Sequence, residues 1–320
     1  MALPRSLQWL ANYSKEDFAG DLPAALTISI MVVPQGMANA MIAGVDPIQG
    51  LYASCIATFI YAFIGTSRQL MIGPVALDAL LVSAVLLPLA GADRENYLAL
   101  AMILAVMVGA VQVLMGMCRM GFVVNFLSRP VMKGFTTGAP IIIAVSQMKH
   151  VFGVDLEGSQ QVWRVLWSFD REQMANINYV TLAIGVGAII ALILFKKYAP
   201  KLPGTLLVVV LGTVVVWACS LGQQVKIVGE VQPGIPIPVI PDFAMLVDTL
   251  SGSQVKELIF GAVAIAIIGY MEGITIAKLY AERKGQQISD NQEFVALGLC
   301  NIGTGFVHGF PVGGSFARTA

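Results

Sequence analysis

Residues Arg68–Ala90 read RQLMIGPVALDALLVSAVLLPLA. Gln69, Leu70, Met71 and Ile72 run extended into Gly73-Pro74, and from about Val75 the pattern becomes helical. Proline suits a helix's first turn because the N–H it lacks would be unpaired there anyway. The apolar run that follows is too short for a hydrocarbon core ~30 Å thick, which takes about 20 residues to cross. The stretch therefore predicts a half-helix that begins inside a membrane. Its first N–H groups lack intrahelical partners and form the positive end of the helix dipole, which suits an anion. The C-terminal residues repeat the plan: Gly309-Phe310-Pro311-Val312-Gly313-Gly314 leads into Ser315-Phe316-Ala317-Arg318-Thr319-Ala320. Two Gly/Pro-interrupted apolar segments, one in each half of a chain, are the best sequence pointer to a transporter's substrate site.

Composition agrees with a membrane setting. The 320 residues are 57% hydrophobic and 12% charged, with mean hydropathy +0.78. A soluble domain carries about twice that charge. Zero net charge gives no electrostatic case for nucleic acid. Cys55, Cys118, Cys219 and Cys300 lie in or beside apolar segments without paired or metal-type spacing, and read as small buried side chains. His150 and His308 are isolated and read as helix-end or packed residues. Residues 1–21 lack a signal-peptide pattern, and Leu3, Leu7, Trp9 and Leu10 suit a short interfacial helix.

The apolar runs place the spans. Leu22–Ala43 is the first, broken at Pro34-Gln35-Gly36, and Ile48–Gly65 is the second. The half-helix after Pro74 is the third and Tyr97–Met117 the fourth. Gly121–Ser128 reads as a short surface helix. Arg129–Phe152 is the fifth span, softened at Gly138-Ala139-Pro140. A polar loop with interfacial Trp163 and Trp167 follows. Asn178–Phe195 and Pro203–Leu221 are spans six and seven. Gln223–Pro241, with Pro233, Pro236, Pro238 and Pro241, suits an extended loop. Val255–Leu279 and Phe294–Val307 are spans eight and nine, and a tenth begins at Ser315. The organisation is thus a cytoplasmic segment at 1–21, spans one to five at 22–152, a loop and spans six and seven at 153–222, an external loop at 223–254, and spans eight to ten at 255–320. With the N-terminus inside, the inner ends of the spans hold twelve Lys and Arg residues and the outer ends six. That bias obeys the positive-inside rule.

Ionisable groups at membrane depth cost ~2.5–3.5 kcal/mol on insertion scales and default to function. Glu272, inside span eight, reads either as a structural hydrogen bond to a neighbouring helix or as a carboxylate facing a substrate cavity. Asp78, one turn into the first half-helix, either caps local N–H groups, pairs with Arg318, or carries a proton. Arg318, near the second half-helix start, reads as an attractor of an anion or of a counter-carboxylate. Gln35 and Asn39 lie one turn apart on one face of span one, although Gln35 also suits the carbonyl freed by Pro34. Ser315 occupies an N-cap, and a cap at mid-membrane is also a ligand donor. Gly73, Gly313 and Gly314 suit turns and the close approach of backbone to an ion.

At these residues the chain resembles the SulP family of anion transporters, bacterial relatives of the animal solute-carrier-26 exchangers and plant sulfate transporters. The likeness runs nearly end to end. It is firmest at PQGMANAMIAGVDPIQGLYAS (Pro34–Ser54), GTSRQLMIGPVAL (Gly65–Leu77), MEGITIAKLYAERKGQQISDNQEFVALGLCNIGTG (Met271–Gly305) and FPVGGSFARTA (Phe310–Ala320). The resemblance implies an all-α polytopic membrane protein with an inverted seven-plus-seven helix repeat, the first complete here and the second partial. Spans one to four and eight to eleven would form a core, and spans five to seven and twelve to fourteen a gate. It also implies an anion site between half-helices three and ten, built from Gln35, Asn39, Val75, Ala76, Ser315, Ala317 and Arg318. Glu272 falls at the family's coupling position, whereas Asp78 has no family role. Ala317 stands where relatives often carry a second serine before the arginine. Members usually continue into a cytoplasmic STAS domain, so the chain reads as a fragment that would not transport alone.

The expectation is a secondary transporter of inorganic anions, most simply proton-coupled sulfate uptake by an elevator motion, with Glu272 and Asp78 taking the coupling ion. Sodium-coupled bicarbonate uptake or anion exchange is the alternative. A nucleobase-type transporter of the same plan and a non-transport membrane scaffold are further ones. Expected partners are the anion, H+ or Na+, the lipid bilayer of a bacterial inner membrane, and a second copy of the full-length chain. No cofactor is called for. No nucleophile–base pair or nucleotide loop is present (Lys284-Gly285 does not make one), so an enzyme is not expected.

Overall fold

The computed structural model describes residues 13–90, 93–122, 177–199, 204–225, 234–244 and 250–319, with isolated positions at 227, 229 and between 134 and 154. The proposed N-terminal interfacial helix, nearly all of the helix at 121–128, much of span five and the loop holding Trp163 and Trp167 lie outside the described residues.

The chain divides into two compact units, Met1–Ser128 with Val231–Ala320, and Arg129–Glu230. In the first, α1 runs Lys15–Ala43. It starts seven residues before the first apolar run because a capping box sets it: Ser14 Oγ accepts from Asp17 N at 3.1 Å, and Asp17 Oδ2 accepts from Ser14 N at 3.0 Å. The expected break at Pro34 is absent, since α1 is a single helix through Pro23 and Pro34. A proline deletes one N–H donor, and a helix held by neighbours inside a membrane protein tolerates that loss. Just past Pro34, α1 meets α2 (Pro47–Ile64) at backbone contact: a Cβ on Gly50 would lie 2.0 Å from the Gly36 carbonyl oxygen.

The third span is short. After strand β1 (Ile72–Gly73), α3 covers Ala76–Ala90, 15 residues. At 1.5 Å per residue that is ~22 Å, below the ~30 Å of hydrocarbon. Helix α4 (Arg94–Met117) returns across, capped by Asp93, whose Oδ1 accepts from Glu95 N at 3.0 Å. In the second unit, α5 (Tyr179–Tyr198) and α6 (Gly204–Ala218) bury none of their residues. Their exposed large side chains are apolar or aromatic, among them Ile189, Val210 and Trp217.

Back in the first unit, described residues of the Pro-rich loop (234–242) form neither helix nor strand. Helices α7 (Gly252–Lys284) and α8 (Asp290–Gly305) lead to strand β2 (Gly313–Gly314) and α9 (Phe316–Thr319). The core of this unit packs α8 on α4 and α2, and α7 on α3 and α4. Five described helices, α1, α2, α4, α5 and α7, are long and apolar enough to cross a membrane. The nearly all-helical, multi-pass fold is the one expected.

The two strands tie the broken spans together. They pair antiparallel, Ile72 with Gly314 and Gly73 with Gly313, and Ser315 N extends the ladder to Met71 O at 2.9 Å. Each strand leads into a helix, so antiparallel pairing makes the two strand–helix units run in opposite senses, the local form of an inverted repeat.

One reading needs correction. Of the four cysteines only Cys300 is buried, with Sγ 3.3 Å from Ala57 O; Cys55, Cys118 and Cys219 are exposed. A small apolar side chain needs no protein cover where its surroundings are lipid.

Candidate functional site

The site forms where β1 turns into α3 and β2 turns into α9. Pro74 lies just ahead of α3, and its carbonyl is the shared acceptor of two predicted site residues. Asn39 Nδ2 donates to it at 2.8 Å from α1, and Arg318 Nη2 donates at 2.9 Å from α9. Asn39, the α3 start and Arg318 are therefore one cluster. Val75 is buried beside β2, with Cγ2 3.3 Å from where a Gly313 Cβ would be. Ala76 opens α3, so its N–H belongs to the unpaired first turn. Ser315 holds the N-cap position of α9, and its carbonyl accepts from Thr319 N at 3.1 Å and Thr319 Oγ1 at 2.6 Å. Thr319 Oγ1 in turn accepts from Met71 N at 3.1 Å, lashing α9 to the strand ahead of α3. Gln35 is half-buried one turn before Asn39 and is joined to the tips by position alone. Ala317 belongs to α9 by its place in the chain.

Glycines let charged groups come close. The Arg318 guanidinium lies over Gly73, where a Cβ would meet Nη1 at 2.9 Å. On α7, Gly269, Glu272 and Gly273 share one face. A Cβ on Gly314 would sit 2.6 Å from Gly273 Cα, and one on Gly269 3.2 Å from both Asp78 oxygens. The β2 segment and the first turn of α3 thus lean on the stripe of α7 that carries Glu272.

The electrostatics are unusual. Arg318 is 5% exposed and its Nε has no hydrogen-bond partner, nor does it form an ion pair among the described residues. Among the described residues, Asp78 is 0% exposed with no partner for either oxygen, and Glu272 Oε2 is also buried and unpartnered. Asp78 therefore makes neither the local cap nor the Arg318 pair that its sequence position suggests. Buried polar atoms without partners are costly, which makes this cluster the candidate site.

Sequence reasoning missed two supports. Glu293 of α8, 3% exposed, accepts from Tyr61 OH at 2.7 Å, Thr66 N at 2.6 Å and Ser67 N at 3.1 Å, fixing the turn that feeds β1. Asn301 and Gln112 are fully buried and bonded to each other, and Asn301 also bonds Val312 while Gln112 donates to Ala266 O. Uncharged amides within apolar helices were the available signal for that pair.

The sequence is 36% identical over 310 residues to a probable sulfate transporter of Mycobacterium tuberculosis, covering 97% of this chain and 54% of that one. The fold matches the murine solute carrier 26 family member A9 anion transporter in the inward-facing state, with TM-score 0.85 and 25% identity over 98% of this chain and 54% of that one. It also matches the transmembrane domain of the cyanobacterial bicarbonate transporter BicA, with TM-score 0.82 and 22% identity over 96% of this chain and 77% of that one, a likeness of fold alone. The chain spans about half the length of the curated relatives it matches. A model of the sulfate permease family, whose members are transporters and not enzymes, matches residues 18–320, and the chain belongs to that family.

Proposed function

We propose that the intact protein is a secondary active transporter of inorganic anions, with sulfate taken up together with protons. The observation that carries this reading is Arg318, a buried cation beside two helix starts that is held by a backbone carbonyl and has no carboxylate partner among the described residues. An anion at the α3 and α9 tips would complete its charge and accept from the free first-turn amides. The binding set in this proposal is Gln35, Asn39, Val75, Ala76, Ser315, Ala317 and Arg318. Sulfate is favoured by the sulfate transporters among the relatives.

Glu272 and Asp78 take the coupling ion in this proposal. Their unpartnered buried oxygens would be satisfied by a proton or a sodium ion, and Asp78 of α3 lies against Gly269, on the stripe of α7 that carries Glu272. The site would be carried across the membrane in an elevator motion. The N-terminus would be cytoplasmic, the membrane a bacterial inner membrane, and the working form a dimer.

The test is radiotracer uptake by the intact gene product in proteoliposomes, using sulfate, bicarbonate, chloride and dicarboxylates with and without a proton gradient. Saturable sulfate uptake that rises with inward proton flow, and loses that response in Glu272→Gln while binding persists, is the expected result. Bicarbonate uptake that needs sodium would replace sulfate with the alternative cargo. Absence of saturable flux for every anion would refute anion transport.

A further inference from the structure

Asn301 in α8 and Gln112 in α4 lie 189 residues apart in sequence and are in direct hydrogen bond at 2.9 Å. Both are 0% exposed. Amides so placed are costly unless their donors and acceptors are matched. Asn301 Oδ1 accepts from Val312 N at 2.7 Å, and its Nδ2 donates to Val312 O at 3.1 Å. The same Nδ2 reaches Leu297 O at 3.2 Å as well as Gln112 Oε1. Gln112 Nε2 then donates to Ala266 O on α7 at 3.1 Å.

The reciprocal pair between Asn301 and Val312 has the form of a neighbouring strand's bonds. The segment that enters β2 is consequently held on both sides, by β1 and by one side-chain amide. Through Gln112 that hold continues to α7, about a turn and a half before Glu272.

We propose that Asn301 and Gln112 are positioning residues for the anion site. Asn301 fixes the height of Val312–Ser315 against the start of α3, and Gln112 fixes that segment against the helix that carries Glu272. Neither touches the anion. The inference rests on the anion-transport reading. Both side chains are uncharged, so the relay keeps its bonds whichever ions occupy the site. Displacing Ser315 and Arg318 by a fraction of an ångström weakens the anion's contacts without removing any of them.

The test is sulfate uptake against concentration for the full-length protein in proteoliposomes, comparing wild type, Asn301→Leu and Gln112→Met. One neutral hydrogen bond corresponds to about 3- to 10-fold in an equilibrium. The half-saturating concentration should rise by at least that much in Gln112→Met, which loses the bonds to Asn301 and Ala266, and by more than about 10-fold in Asn301→Leu, where both Val312 bonds go as well. The maximal rate per folded transporter should change less than the affinity. Unshifted affinity in Gln112→Met, or a lost rate with unshifted affinity, overturns the proposal. Should Asn301→Leu fail to fold, Gln112→Met decides, because it keeps both Val312 bonds. Wild-type protein that takes up no anion would remove the site itself and this proposal with it, a result distinct from normal uptake with unshifted affinity.

Discussion

The Arg318 guanidinium donates to the carbonyl of Pro74, 244 residues away, at 2.9 Å. One bond thus joins the entrances of the two broken spans, from a side chain whose Nε has no partner. If that charge holds the anion, Arg318→Met in the full-length protein removes a charge-assisted hydrogen bond, worth about 1.5–3 kcal/mol. Half-saturating sulfate should rise by about 10- to 100-fold in radiotracer binding. Arg318→Lys should recover only part of the loss, since a point charge lacks the planar fork.

Asp78→Asn offers a contrasting outcome. Neither Asp78 oxygen has a partner, so the neutral isostere removes a buried charge without deleting a bond. Thermal unfolding of purified protein should show equal or higher stability, with a changed coupling of anion flux to the proton gradient. A fall of many degrees would show that the carboxylate has a structural partner after all.

Glu293→Gln should do the opposite. The carboxylate accepts from Tyr61 OH, Thr66 N and Ser67 N, whereas an amide has one acceptor oxygen and presents N–H groups to donors. A loss of about 2–4 kcal/mol is expected for the stranded donors. It is measurable as a lower melting temperature together with faster exchange of the Thr66 and Ser67 amides.

Glycine substitutions separate close approach from open space. A Cβ on Gly314 meets the Gly273 backbone at 2.6 Å, while one on Gly212 of α6 meets nothing within 4 Å. Gly314→Ala should abolish uptake and lower stability, and Gly212→Ala should leave both near wild type. Equal behaviour of the two variants in a transport and thermal-shift comparison would argue against the tight β2–α7 packing.

Much of this arrangement is legible in the chain. The Gly73-Pro74 break and the short apolar run after it announce the half-helix, and Gly313-Gly314 announces its counterpart. Pro34 misleads, because a proline's cost depends on the neighbours that share the helix, and sequence does not show that Gly36 will meet Gly50. The capping box at Ser14 and Asp17 was readable and moves the start of α1 to Lys15. Glu293 reads as an ordinary surface acid at a helix start; only the return of residues 61–67 to its side chain makes it a hub. Asn301 and Gln112 stand out as amides within apolar helices, but that they bond each other depends on two helices meeting, which no local pattern encodes.

The most direct measurement is substrate protection at the two tips. Ala76→Cys and Ser315→Cys, each in a full-length background with the other cysteines removed, would be labelled by a membrane-permeant thiol reagent over a range of sulfate concentrations. Shared occupancy predicts that sulfate slows labelling at both positions with one common half-saturating concentration, and that Arg318→Met abolishes the protection. Labelling at either position that no inorganic anion alters, in protein that transports normally, would contradict a site between the starts of α3 and α9.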